Sequence, residues 1–383
     1  MMNTKIISLF LILFSITVSA QIQYEEIQSD KLGASRQLKI QLPRNYDTNT
    51  DKTYPVIVVL DGDYLFEPVA GMTDYYSYWE EMPEVIVVGV NQGETREDDT
   101  LFDEFNSLPI DTGVAFFEFL GLEMMPWLDN KYRTSDFRIV VGHDMTANFM
   151  NFYLMKETAL FQGYISLSPD LSPEMDIRLT EQLGKTQQKI FYYLATGTED
   201  IKPLREGTEV LDSQLKTVSN DNLAYYFDDF EGATHYSMVG RAIPNAMESI
   251  FSIYKPISKK EYKEVLLKLE GSAYDYLVDK YATVKDLFGL DDKIRLNDFT
   301  AVSKAIQKKG DWTALENLGK LARAQYPETM LGNYYMALSL ERIGEPKKAM
   351  RMYQNAYLLE EISFLTKDFM LDKADEIKAD FGY

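Results

Sequence analysis

Imidazole is scarce in this chain. Of its 383 residues only two are histidine, His143 and His235. Any proton transfer by a histidine must therefore use one of them. His143 lies in "RIVVGHDMTANF", Arg138 to Phe149, where an apolar run meets Gly142-His143-Asp144-Met145-Thr146 and then a helix-like pattern. A sharp strand-to-helix turn of this kind lifts its apex side chain into position for nucleophilic attack; the apex here is Asp144, where serine is usual. Two later segments complete a candidate constellation. "LATGTEDIKP" offers Asp200 as an acid, with Glu199 beside it as the alternative, and "FEGATHYSM" presents His235 in a loop. In this order of nucleophile, acid and histidine, the acid orients the imidazole, and the imidazole takes a proton from the attacking group or from water.

An aspartate apex changes the chemistry open to such a site. Attack by a carboxylate on an alkyl carbon gives an ester that histidine-activated water can hydrolyse. Attack on a carboxylic ester would instead form an anhydride and expel a much more basic alkoxide. Opening an epoxide also needs acid or hydrogen-bond activation of the leaving oxygen; in the epoxide hydrolases that "GHD" resembles, tyrosines on a helical cap supply it, and the segment "DLSPEMDIRLTEQLGKTQQK" is too short to build one. Tyr75, Tyr76, Tyr78 and Trp79 of "DYYSYWEE" could line the pocket, or form a packing helix face. Alternatively, Asp144 imitates the oxyanion itself: a helix N-terminus favours negative charge, and a carboxylate there can pair with protonated His235. His143 is read as a residue that packs or orients the elbow, and Ser166 and Ser168 of "SLSP" as structural. Thr146 stands where a second glycine is usual, so a shifted elbow is expected. Asp144, His235 and Asp200 offer a single imidazole and no ligand spacing, so no metal and no cofactor is expected.

These residues need a scaffold of strands ending at one edge. "QLKIQLP", "YPVIVVLDGD", "EVIVVGVN", "FRIVVGH", "GYISLSP", "KIFYYLATG" and "LAYYFDDFEG" are short apolar runs of the kind a mostly parallel sheet buries on both faces. Helix-like stretches alternate with them, which defines an α/β layout. From about residue 256 the strands stop and helix pairs begin. Gly310-Asp311-Trp312 and Gly344-Glu345-Pro346 lie one tetratricopeptide period apart, which predicts two such repeats, at about 296–329 and 330–363. Ala337, Ala349, Tyr353 and Ala356 fit the packing positions of that repeat, as do Ser303, Ala322 and Pro327, whereas Leu315 and Gly319 depart from it. Two repeats should dock on the helices of residues 259–288 or on the α/β region. They are read first as a stabilising cap and second as a groove for a protein partner, because so short an array offers little concave surface.

The formal charge of -21, without a basic stripe, excludes a nucleic-acid partner. The absence of cysteine excludes disulfides and thiolate metal sites. Met1–Ala20 combines Lys5, the apolar run Ile6 to Val18 and the small residues Ser19-Ala20, so it reads as a signal peptide of an exported, periplasmic or secreted protein with no membrane span after cleavage.

The segments "YPVIVVLDGDYLF", "VIVVGV" with "TREDDT", "FLGLEMMPWLDNKYRTSDFRIVVGH" and "GATHYS" together resemble the putative esterase family, which includes enterochelin esterases and S-formylglutathione hydrolases. The resemblance covers residues 34–255. It implies an α/β-hydrolase fold, with helices on both faces of the sheet, over residues 21–255, ahead of an all-α helical-repeat region at 256–383. It further implies Asp200 as orienting acid, His235 as base, and oxyanion donors from the backbone N–H of Met145 and from that of Gly62 or Asp63. The expected ligand is a small ester or ester-like molecule. With Asp144 at the nucleophile position, two readings stand: a pseudoenzyme whose pocket binds a ligand or partner, and an active hydrolase working through Asp144 and His235 on an ester or alkyl electrophile.

Overall fold

The computed structural model describes residues 22–382. The predicted leader, Met1–Ala20, lies outside the described residues. Eight strands form one sheet: β1 (Ile22–Ser29), β2 (Ala34–Gln41), β3 (Tyr54–Val59), β4 (Ile86–Val90), β5 (Thr134–His143), β6 (Gly163–Leu167), β7 (Ile190–Glu199) and β8 (Leu223–Thr234), in the order β1-β2-β4-β3-β5-β6-β7-β8. β1 and β2 form an antiparallel hairpin and β2 runs antiparallel to β4, while every pairing from β4 through β3 to β8 is parallel.

The central strands carry apolar side chains on both faces because helices cover both. Val56, Ile57, Val58 and Val59 are all fully buried, each contributing about 1.5–3 kcal/mol relative to exposure. Val56 and Val58 join one core with Phe116, Leu128, Leu179 and Leu211; Ile57 and Val59 join the other with Val69, Ala242 and Met247. Side chains alternate across a strand, so one run of β-branched residues feeds both layers. β1 is the strand that the apolar-run criterion passes over. It is an edge strand with half of its side chains exposed, set by the turn before β2, where Gly33 has φ 63°.

The parallel strands β3 and β5–β8 all point their C-terminal ends to one edge, which gathers Asp61, Asp144, Ser168, Asp200 and His235 in the loops that follow them. Ligands of open α/β sheets bind at this edge.

Beyond residue 258 the described chain is helical. Helices Leu296–Lys309, Trp312–Gln325, Leu331–Arg342 and Pro346–Ala356 pack in sequence. Gly310 (φ 72°) and Gly344 (φ 83°) turn the chain between the helices of each pair. Ala337, Ala349, Tyr353 and Ala356 are fully buried, and so is Leu315. Gly319 has a packing role: a Cβ there would lie 2.9 Å from the backbone N of Met336, so glycine is what lets the second and third helices of the set approach so closely. These helices dock on residues 257–277, since Ile257, Leu266, Ala273 and Leu277 belong to their core. Helix Ala273–Phe288 then continues into the sheet region, where Val284 and Phe288 enter the second sheet core and the Phe288 ring lies 4.8 Å from that of Phe137.

Candidate active site

β5 ends at His143, and helix Met145–Phe149 begins one residue later. Asp144 between them adopts φ 61°, ψ −122°, a conformation that a non-glycine residue occupies at a strain of about 1–3 kcal/mol and that recurs at functional turns. Gly142 makes the turn possible, because a Cβ there would stand 2.7 Å from the backbone N of Ala147. Thr146, expected to shift the elbow, is built into it. Its side chain is fully buried; its Oγ1 accepts the His143 N–H at 3.0 Å and donates to Asp61 Oδ2 at 2.7 Å. The tight approach falls on Gly142, and position 146 has room for a hydroxyl with work to do.

Asp61, from "LDGD", is a residue that sequence reasoning passed over. It is buried, with φ 53°. Its carboxylate accepts from Thr146, from the Tyr64 hydroxyl (3.0 Å), and from Arg96 through Nε (2.7 Å) and Nη2 (3.2 Å). Arg96 opens the short helix Arg96–Asp99; it also donates from Nη2 to the His143 carbonyl at 3.0 Å and from Nη1 to Asp144 Oδ2 at 3.3 Å. Burial acts to lower the Arg96 pKa, but the hydrogen bond and charge of Asp61 outweigh it and raise the pKa further, so the guanidinium stays charged. This corrects one expectation: the described partner of the Asp144 carboxylate is Arg96 and not His235.

His235 is held as expected of an orienting dyad. Its Nδ1 lies 2.8 Å from Asp200 Oδ1, and Ser168 Oγ is 3.1 Å from the same nitrogen. Thr196 donates to Asp200 Oδ2 at 2.8 Å, and the Ile201 N–H donates to Oδ1 at 2.7 Å. Burial alone would raise the Asp200 pKa; the hydrogen bonds from His235, Ser168, Thr196 and Ile201 outweigh it and hold the carboxyl below the usual range. An ionised Asp200 requires a hydrogen on Nδ1, and Nε2 has no partner among the described residues. Ser168, at φ 46°, thus supports the dyad. Glu199, the alternative acid, is exposed at the end of β7 and makes no hydrogen bond to His235.

Of the three oxyanion donors expected, two remain open. Met145, first in its helix, has an N–H with no acceptor among the described residues, as does Asp63. Gly62 does not qualify, because its N–H donates to the Val90 carbonyl at 2.8 Å. The Asp63 carboxylate ties down the neighbouring loop by accepting the N–H groups of Gln92 (2.6 Å) and Gly93 (2.8 Å). Tyr75, Tyr76, Tyr78 and Trp79 make no described contact with the elbow; their rings pair with one another and Tyr76 donates to Glu248. They sit at the far end of helix Phe66–Tyr78, and Tyr78 lines a separate cleft of about 1060 Å³ between the sheet and the helical region. Among the described residues no group of three or more His, Asp or Glu is arranged to hold a metal ion, and no helix is long and apolar enough to cross a membrane.

His143 packs under this assembly, its ring centroid 4.3 Å from that of His235. Its Nε2 lies 3.2 Å from the His235 carbonyl and its Nδ1 3.0 Å from the Tyr64 hydroxyl. Burial first, and then the neighbouring His235, lower its pKa from 6.5 to about 4. Between these values the unfolded chain binds a proton that the folded chain refuses, so stability is expected to fall as pH drops through this window, by up to about 1.4 kcal/mol per pH unit. Urea midpoints measured at about pH 7 and about pH 5 should differ less in His143→Gln than in the parent; equal differences would remove His143 as the cause.

The chain matches the family described as Putative esterase over residues 29–264, and it belongs to that family. Among solved structures, an uncharacterised protein from Capnocytophaga ochracea is 31% identical with a TM-score of 0.87, over 94% of this chain and 100% of that one. The similarity therefore extends through the helical region. An IroE-like serine hydrolase from Shewanella oneidensis shares the fold at 18% identity and a TM-score of 0.59, over 79% of this chain and 99% of its own. The BES protein from Bacillus cereus does so at 21% identity and 0.53, over 61% and 95%. No curated protein matches the chain.

Proposed function

We propose that this esterase-family protein has lost serine-esterase chemistry and uses its elbow pocket to bind a ligand. The carrying observation is the ion pair between Asp144 and Arg96: the apex group is a carboxylate beside a guanidinium that it shares with Asp61, not a hydroxyl hydrogen-bonded to the His235 imidazole. A nucleophile activated by a base requires that second contact. As a permanent anion beside the Met145 N–H, Asp144 resembles the charge a tetrahedral intermediate would place there. The leader reading of Met1–Ala20 supports export, and the helical region is assigned a stabilising role.

The second reading, an active hydrolase, draws on the His235–Asp200 dyad, since an oriented imidazole with a free Nε2 can activate water on an ester. Purified full-length protein and His235→Ala should be compared on p-nitrophenyl acetate. The expected result is the same near-background rate for both. Turnover by the parent that disappears in His235→Ala would overturn the proposal and establish the second reading.

A further inference from the structure

Negative charge gathers around Asp144. Its Oδ2 faces Arg96, and its Oδ1 has no partner among the described residues. The Asp170 N–H donates to the Asp144 carbonyl at 3.2 Å, which brings a second carboxyl to the same edge. Burial and then the charge of Asp144 raise the Asp170 pKa. Arg96 is the only basic residue between Asn91 and Ile110, whereas Glu94, Glu97, Asp98 and Glu104 of that segment are exposed. A third polar group of this edge is His235 Nε2, unpartnered among the described residues, on a side chain only 6% exposed whose other nitrogen is fixed on Asp200.

The loops of this edge also carry exposed aromatic and apolar side chains. Tyr236, 77% exposed, stands edge-on 5.0 Å from the His235 ring. Phe105, 98% exposed, tips the loop after the Arg96 helix, and that loop is anchored beside Asp170 by the Ser107 hydroxyl donating to the Pro173 carbonyl at 2.5 Å. Tyr64, Leu101 and Ile201 are further exposed apolar side chains on these loops. Exposed apolar groups on loops that flank a polar centre suit a binding surface. The centre here is rich in acceptors and already holds its own anion, so an anionic ligand is repelled. An ammonium group gains charge-assisted hydrogen bonds and the faces of aromatic rings.

We propose that the mouth of the Asp144 site binds an organic ammonium ion with an apolar body, of which an arylalkylamine is the simplest case. The inference rests on Asp144 being a fixed anion and not a nucleophile. The test is calorimetric titration of the full-length protein at low salt with three probes of one shape: 2-phenylethylammonium, 2-phenylethanol and phenylacetate. The ammonium ion is expected to bind at least about tenfold more tightly than the alcohol, with phenylacetate weakest. Asp144→Asn should remove that preference, Asp170→Asn should reduce it in part, and Phe105→Ala should weaken the ammonium ion and the alcohol alike. Melting curves check that each variant is folded, and Asp170→Asn serves if Asp144→Asn is not. Equal binding of the three probes, or an unchanged preference in the folded variant, would overturn the inference. Failure here with no esterase turnover sinks the ammonium site alone; His235-dependent turnover by the parent sinks the reading beneath it.

Discussion

Asp144→Ser is expected to raise hydrolysis of p-nitrophenyl acetate at least about a hundredfold over the parent, a gain typical of restoring an oriented general base to its nucleophile. The remaining parts are in place. The backbone at position 144 already holds the strained turn at φ 61°, the Met145 N–H is open, and His235 is oriented by Asp200 at 2.8 Å. Arg96 does not depend on Asp144 for its position, because Asp61 and the His143 carbonyl hold it independently. The gain should vanish in the Asp144→Ser, His235→Ala double variant. A folded Asp144→Ser protein with no gain would show that the Met145 and Asp63 N–H groups are not aimed at one point, and that a hydroxyl alone does not complete the site.

Asp61→Ala is expected to destabilise the protein by about 3–5 kcal/mol, the range for removing one partner of a buried ion pair. Asp61 is 2% exposed and receives four hydrogen bonds from three side chains. Without it the Arg96 guanidinium keeps its charge but loses its main counter-ion, and the hydroxyls of Tyr64 and Thr146 lose an acceptor. Asp61→Asn, which keeps the shape and part of the hydrogen bonding, should fall between. Chemical denaturation reads the difference directly; a loss below about 1 kcal/mol would mean that water replaces the carboxylate.

Much of the scaffold was legible because burial on both faces leaves a simple mark. "YPVIVV" and "IVVGV" are uniformly apolar and uniformly buried as β3 and β4. β1 was not legible, since "IQYEEIQS" is an exposed edge whose pairing with β2 leaves no apolar run. At the site, Asp144, Asp200 and His235 followed from scarcity and order, but Arg96 and Asp61 did not. They are 35 residues apart in sequence, and a guanidinium inside "TREDDT" reads as one solvated charge among several. Thr146 was misjudged for a related reason. Residue type shows that a β-branched side chain is bulky, while only the fold shows that the close contact falls on Gly142 and that Asp61 waits for the hydroxyl.

Helix Ala273–Phe288 has a bearing on how the molecule can be handled. Its first turns belong to the helical core and its last to the sheet core, where Phe288 meets Phe137 and Phe251. A chain cut near residue 255, ahead of that helix, would leave that aromatic surface bare to water. The hydrolase-like part is therefore not a detachable unit, and the helices that follow it act as its missing wall.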